Sequence, residues 1–141
     1  MKEFVKEEER NLSTCESIIM KAIWDKGEDI SISELIEVLK KKYNKDYKRT
    51  TVVTFILNLS AKGFARRYRS GRYVYVHALK SEEEYKQKLL NDYTDFWYQG
   101  EAEKVMAALI NSREMSPEMV QKMRGMIDEL DGLDRLDELD G

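Results

Sequence analysis

Hydroxyls and cations gather in one stretch of the chain. Lys48 to Lys62 reads KRTTVVTFILNLSAK, and FARRYRSGRYVYVHAL follows soon after. Between Lys45 and Arg72 stand eight Lys/Arg (Lys45, Lys48, Arg49, Lys62, Arg66, Arg67, Arg69, Arg72) against one acid, Asp46. The window therefore carries +7 inside a chain of formal charge -3. A basic island in an acidic protein points to a polyanion. Ammonium and guanidinium groups pair with phosphates, while Thr hydroxyls and Arg forks can reach base edges.

Two elements must position these groups. In the first run Val52, Phe55, Ile56 and Leu59 recur at helical spacing and form a buried face. Lys48, Arg49, Thr51 and Thr54 fall on the opposite side or at the leading end. The second run reads as two strands, Phe64 to Arg69 and Tyr73 to Ala78, with Ser70-Gly71 as the turn. Alternating Tyr and Val in such a hairpin packs one face on a helix. Lys48, Arg49, Thr51 and Thr54 on the helix, with Arg67, Arg69 and Arg72 on the hairpin, are the candidate DNA-binding residues.

Upstream, Ser13-Thr14-Cys15-Glu16 is a capping box opening a helix from Thr14 to Lys26, with Gly27 as its stop. Ser31 with Glu34 opens a second helix, with Leu35, Ile36, Val38 and Leu39 inside and Lys40 to Lys42 at its negative end. The turn to the third helix is short, which is helix-turn-helix geometry. Three helices and a hairpin make a winged helix-turn-helix over residues 13–80, preceded by a flexible segment, 1–12. In that arrangement the third helix enters the major groove and the hairpin tip approaches phosphates or the minor groove.

The remaining residues, 81–141, carry 7 Lys/Arg and 16 Asp/Glu, net -9, whereas 1–80 carry 17 and 11, net +6. The two parts do different jobs. Ser81 with Glu84 opens a helix striped by Tyr85, Leu89, Tyr93, Phe96 and Trp97. A second helix after Gly100 carries Val105, Met106, Leu109 and Ile110. Ser116-Pro117 starts a third with Met119, Val120, Met123, Met126, Ile127 and Leu130. These stripes designate a helical dimerisation domain over 81–131 whose partner is a second copy of the chain; folding back on the winged helix is the monomeric alternative. The ending, 132–141, is an acidic tail, a frayed helical end or disordered. The fold class is mainly α with a small β-hairpin wing.

One Cys and one His leave no internal disulfide and no zinc or copper cluster. Cys15 reads as a small apolar core residue and His77 as structural. No phosphate-cradling glycine loop and no nucleophile with a placed base is present, so the reading is not an enzyme, with no cofactor and no metal. No apolar run is long enough for membrane insertion and the N-terminus is too charged for a signal peptide, which implies a soluble, cytoplasmic protein.

Three pieces together resemble the penicillinase-repressor family of bacterial winged-helix regulators, the BlaI/MecI/CopY group. Glu16-Ser-Ile-Ile19-Met20-Lys-Ala-Ile23-Trp24 is similar to its E-x-x-I-M-x-x-x-W pattern. Thr50-Thr51-Val52-Val53-Thr54-Phe-Ile-Leu-Asn58-Leu59-Ser-Ala-Lys62-Gly63 resembles its T-T-V-x-T-x-L-x-R-L-x-x-K-G signature. Gly71-Arg72-Tyr73-Val74-Tyr75 and Ser81-Glu-Glu-Glu-Tyr85 fall at the family's spacing. The resemblance covers roughly residues 13 to 110. It implies a transcriptional repressor that sits as a homodimer on a dyad double-stranded DNA operator, with groove contacts from Arg49, Thr50, Thr51 and Thr54 and wing contacts from Arg69 and Arg72. It further implies control of genes like those of β-lactam resistance; the family's β-lactam-responsive members are inactivated by a membrane sensor protease at an Asn-Phe bond, and no Asn-Phe occurs in this chain. The matching positions here are about Ala108-Leu109, and the copper branch's Cys-x-Cys is absent; Asn58 stands where the family has Arg. The readings of another class are a winged-helix protein–protein interaction module and a small-molecule-responsive regulator.

Overall fold

A computed structural model describes residues 11–140, with side chains as far as residue 132. The order is α1 (Thr14–Lys26), β1 (Ile30–Ser31), α2 (Ile32–Tyr43), α3 (Arg49–Ala61), β2 (Ala65–Ser70), β3 (Tyr73–Ala78), α4 (Glu82–Tyr98), α5 (Ala102–Ser112) and α6 (Pro117–Asp140). It is a winged helix followed by helices, mainly α with a small antiparallel sheet.

Local chemistry sets the helix starts. Ser13 Oγ accepts from Glu16 N at 3.2 Å while Glu16 Oε1 accepts from Ser13 N at 2.8 Å, a reciprocal capping box. Ser31, Ser81 and Ser116 accept from the backbone N–H three residues on, at 3.1, 3.1 and 3.2 Å. Helix α1 stops at Gly27, whose φ of 76° is the left-handed conformation that costs glycine nothing.

The expected hairpin has a third strand. β1 pairs with β3, Ile30 opposite Val76 and Ser31 opposite Tyr75, giving the order β1-β3-β2. Two residues are too few to leave a periodic signal. They nonetheless anchor the wing to the loop before α2, with Ile30 and Val76 both buried.

Every buried hydrophobic residue among the described ones lies at or before Tyr85. Ile19, Met20 and Ile23 of α1, Leu35 and Leu39 of α2, and Val52, Ile56 and Leu59 of α3 close around Phe64, Ala65 and Val76. Phe55, expected inside, is half-buried and packs its ring on Tyr47 at 5.6 Å. The chain divides into two units between Leu89 and Leu90, later than the sequence boundary at residue 80. Tyr85 is the reason. Counted from the sequence with the dimerising stripe, it is 8% exposed in the winged-helix core, edge-on to Phe64 at 5.1 Å. Its hydroxyl oxygen accepts from Leu12 N at 3.0 Å.

Asn11 and Leu12, expected to be loose, are held by these contacts and by Lys62 and Lys88, which donate to Asn11 at 3.1 and 3.0 Å. The rest of the expected flexible segment lies outside the described residues. At the other end α6 is helical through Asp140, across most of the expected acidic tail.

Candidate nucleic-acid interface

Helix α3 begins after Lys48, which is exposed, as are Arg49, Thr50 and Thr54; Thr51 is half-buried. The opposite side supplies Val52, Ile56 and Leu59, all fully buried, so the amphipathic pattern holds this helix with its polar side out. Arg49 Nη1 donates to Ser33 Oγ at 3.2 Å and so links α3 to the start of α2. Thr54 Oγ1 donates to the Thr50 carbonyl at 2.9 Å. Asn58 is exposed and lines a shallow groove with Ser13, Glu16, Phe55, Ala61 and Lys62.

In the wing, directly opposed residues share a face. Arg67 opposes Val76 and Arg69 opposes Val74; Arg66, Tyr68 and Ser70 oppose His77, Tyr75 and Tyr73. The valine face meets the core and the tyrosine face stacks on itself, Tyr68 on Tyr75 at 5.7 Å. Arg66, Arg67, Arg69 and Arg72 are exposed, and the turn between the strands uses Gly71 at φ 64°.

One carboxylate clamps the wing from below. Tyr68 Oη donates to Asp29 Oδ2, and His77 Nδ1 lies 2.8 Å from Asp29 Oδ1. The Tyr68 and His77 hydrogen bonds hold the Asp29 carboxyl below its ordinary range, and the same bond pushes the Tyr68 phenol up. Trp24 Nε1 donates to the Lys80 carbonyl at 2.8 Å, securing the chain just past β3. Sequence reasoning did not assign Asp29. Its partners lie 39 and 48 residues away, so no local pattern signals it.

Not every cation in the basic window faces outward. Lys62 donates to Glu16 Oε1 at 2.7 Å, and Glu16 is 4% exposed. Burial pushes the Glu16 carboxyl up, but the Lys62 bond and the Ser13 contacts outweigh it and leave the group below its ordinary value. Lys62 is thus the counter-ion of a buried carboxylate. Arg66 lies over the Tyr68 ring at 5.3 Å. Cys15 is half-buried with its Sγ accepting from Tyr47 Oη at 3.5 Å.

The second unit has a different character. Among the described residues α5 and α6 bury nothing, and Tyr93, Phe96, Trp97, Leu109, Met119 and Ile127 are exposed, Trp97 at 61%; Leu89, the last residue of the first unit, is exposed as well. Val105, Met106 and Met123 are half-buried. Tyr93, Phe96 and Trp97 form a ring cluster, with 4.9 Å between Phe96 and Trp97. Ala108 and Leu109 lie inside α5. Among the described residues no helix is long and apolar enough to cross a membrane, and no group of three His, Cys, Asp or Glu could hold a metal ion.

Comparison with known proteins agrees with this architecture. The sequence model described as penicillinase repressor matches residues 12–129. The match runs well past residue 110, where the motif-level resemblance ends, and takes in all of α5 and half of α6. No curated protein matches the chain.

Proposed function

The chain belongs to the penicillinase repressor family, a family of DNA-binding transcriptional regulators, and we propose that it represses transcription as a homodimer bound to a dyad operator in double-stranded DNA. Helix α3 enters the major groove, where Arg49, Thr50, Thr51 and Thr54 meet bases and adjoining phosphates. Lys48 and the wing cations Arg67, Arg69 and Arg72 meet the backbone.

One contrast carries this reading. The first unit is closed around its own core and turns cations outward on α3 and the wing, while the second leaves an aromatic and aliphatic surface uncovered. Large apolar side chains left exposed on three successive helices are the pattern of an interaction site. A second copy supplies its self-complementary partner and places two reading helices on one duplex.

Fluorescence anisotropy against duplexes tiling the gene's own upstream region, beside a scrambled duplex at two salt concentrations, tests it. One tile bound far more tightly than the scramble, with two protomers per duplex, is expected. Substituting Arg49 and Thr51 by Ala removes about 1–3 kcal/mol of discrimination per lost base contact. Unchanged specific affinity in that double variant overturns the assignment of α3 as the reading helix.

A further inference from the structure

Thr50, Thr54, Leu57 and Ala61 follow one another at intervals of four, three and four, so they form one stripe along α3. All four are exposed, and Leu57 is 47% exposed at the middle of the stripe. A lone surface leucine needs no explanation. This one stands at the centre of the face that the repressor reading turns into the major groove.

The chemistry of the stripe is unusual for a base reader. Its cations, Lys48 and Arg49, stand only at the leading end of the helix. The hydroxyl hydrogen of Thr54 is committed to the Thr50 carbonyl at 2.9 Å, so Thr54 offers a base edge an acceptor and a methyl. Ala61 offers a methyl alone. Asn58, the only side-chain amide on the helix, stands seven residues after Thr51 on a neighbouring line, in a groove it shares with Ser13, Glu16, Phe55, Ala61 and Lys62, and not on the line through Leu57. No bidentate donor fork is therefore available at the centre of this face to select guanine, and no amide to select adenine. At Leu57 itself only apolar contact is available, and in the major groove only thymine presents an apolar group, its C5-methyl.

We propose that Leu57 is a specificity-determining residue that selects thymine at one position of each half-site by covering its C5-methyl group. The inference rests on α3 lying in the major groove, as proposed above.

The test begins with a randomised duplex pool selected on the full-length protein. In the duplex recovered, each thymine is replaced singly by deoxyuridine, which removes only the methyl. With the unaltered protein, one thymine per half-site should lose about three- to fivefold in affinity on replacement. With Leu57→Ala that position should become indifferent to the methyl, while replacements elsewhere keep their effects. A penalty that persists undiminished in Leu57→Ala, or no deoxyuridine penalty at all, overturns the role of Leu57 and leaves the groove reading standing. A pool from which nothing is enriched overturns the groove reading and this proposal with it. The deoxyuridine arm uses the native protein, so it does not depend on how the variant folds.

Discussion

Replacing Lys62 by Met separates a cation that holds the fold from those proposed to meet DNA. Removing one partner of a fully buried ion pair costs about 3–5 kcal/mol, because the remaining charge stays buried without compensation. Glu16 is 5% exposed as a side chain but Lys62 is 27% exposed, so water reaches one end of the pair. Glu16 also keeps the Ser13 N–H at 2.8 Å. The expected loss is therefore smaller, about 2–3 kcal/mol, a large share of the 5–15 kcal/mol typical of a domain. Urea unfolding followed by circular dichroism at pH 7 measures it. The pH dependence gives a second reading of the same pair. Glu16 is held below its ordinary 4.5, so its contribution is fully present above about pH 4.5 and is lost as pH falls through the folded value. Once Glu16 is neutral Lys62 has nothing to neutralise, so the gap between Lys62→Met and the native protein should narrow below about pH 4.5. The slope of log affinity for a duplex against log salt should not change, because Lys62 is engaged internally. A variant as stable as the native protein, with a slope shallower by about one, would refute the reasoning and return Lys62 to the DNA surface.

Other expectations follow from the same geometry. Arg69→Ala and Arg72→Ala should each reduce the salt slope by about 0.9 if the side chain meets a phosphate, with stability unchanged within about 0.5 kcal/mol; paired salt titrations and urea curves read both. Asp29→Asn weakens the clamp on Tyr68 and His77, so faster amide exchange in β2 and β3 is expected, with about 1 kcal/mol lost, since Asp29 is partly solvated. Unchanged exchange there would show that the sheet alone holds the wing. Trp97→Ala should weaken self-association by about 3 kcal/mol per protomer, from the apolar area Trp97 leaves exposed in one chain. Sedimentation velocity over a dilution series measures it, and an unshifted monomer–dimer midpoint would remove Trp97 from the interface.

Much of this architecture is written locally. A serine followed three residues on by a glutamate satisfies helix N–H groups within one turn, so the starts of α1, α2 and α4 are legible from four residues each. The 3.6-residue spacing of Val52, Ile56 and Leu59 gives the buried side of α3, and Gly71 gives the wing turn, because a positive φ is a property of single residues. What the local signals leave open is which groups meet across the chain. Glu16 reads as a capping carboxylate and is one, but it is also the buried partner of a lysine 46 residues away, a pairing that withdraws one cation from a count of eight. Tyr85 has the spacing of an α4 surface stripe, yet the edge of Phe64 and the N–H of Leu12 draw it into the first core. Leu57 carries no sign in its residue type; the spacing of Val52, Ile56 and Leu59 places it off the buried side, and the fold shows it 47% exposed in the middle of the face proposed to read DNA. The helices, the hairpin and the basic window are therefore legible before folding, since caps, turns and periodicity act over a few residues. The tertiary structure alone decided which charges are left for a partner, because ion pairing and burial depend on neighbours that the chain brings together only when it folds.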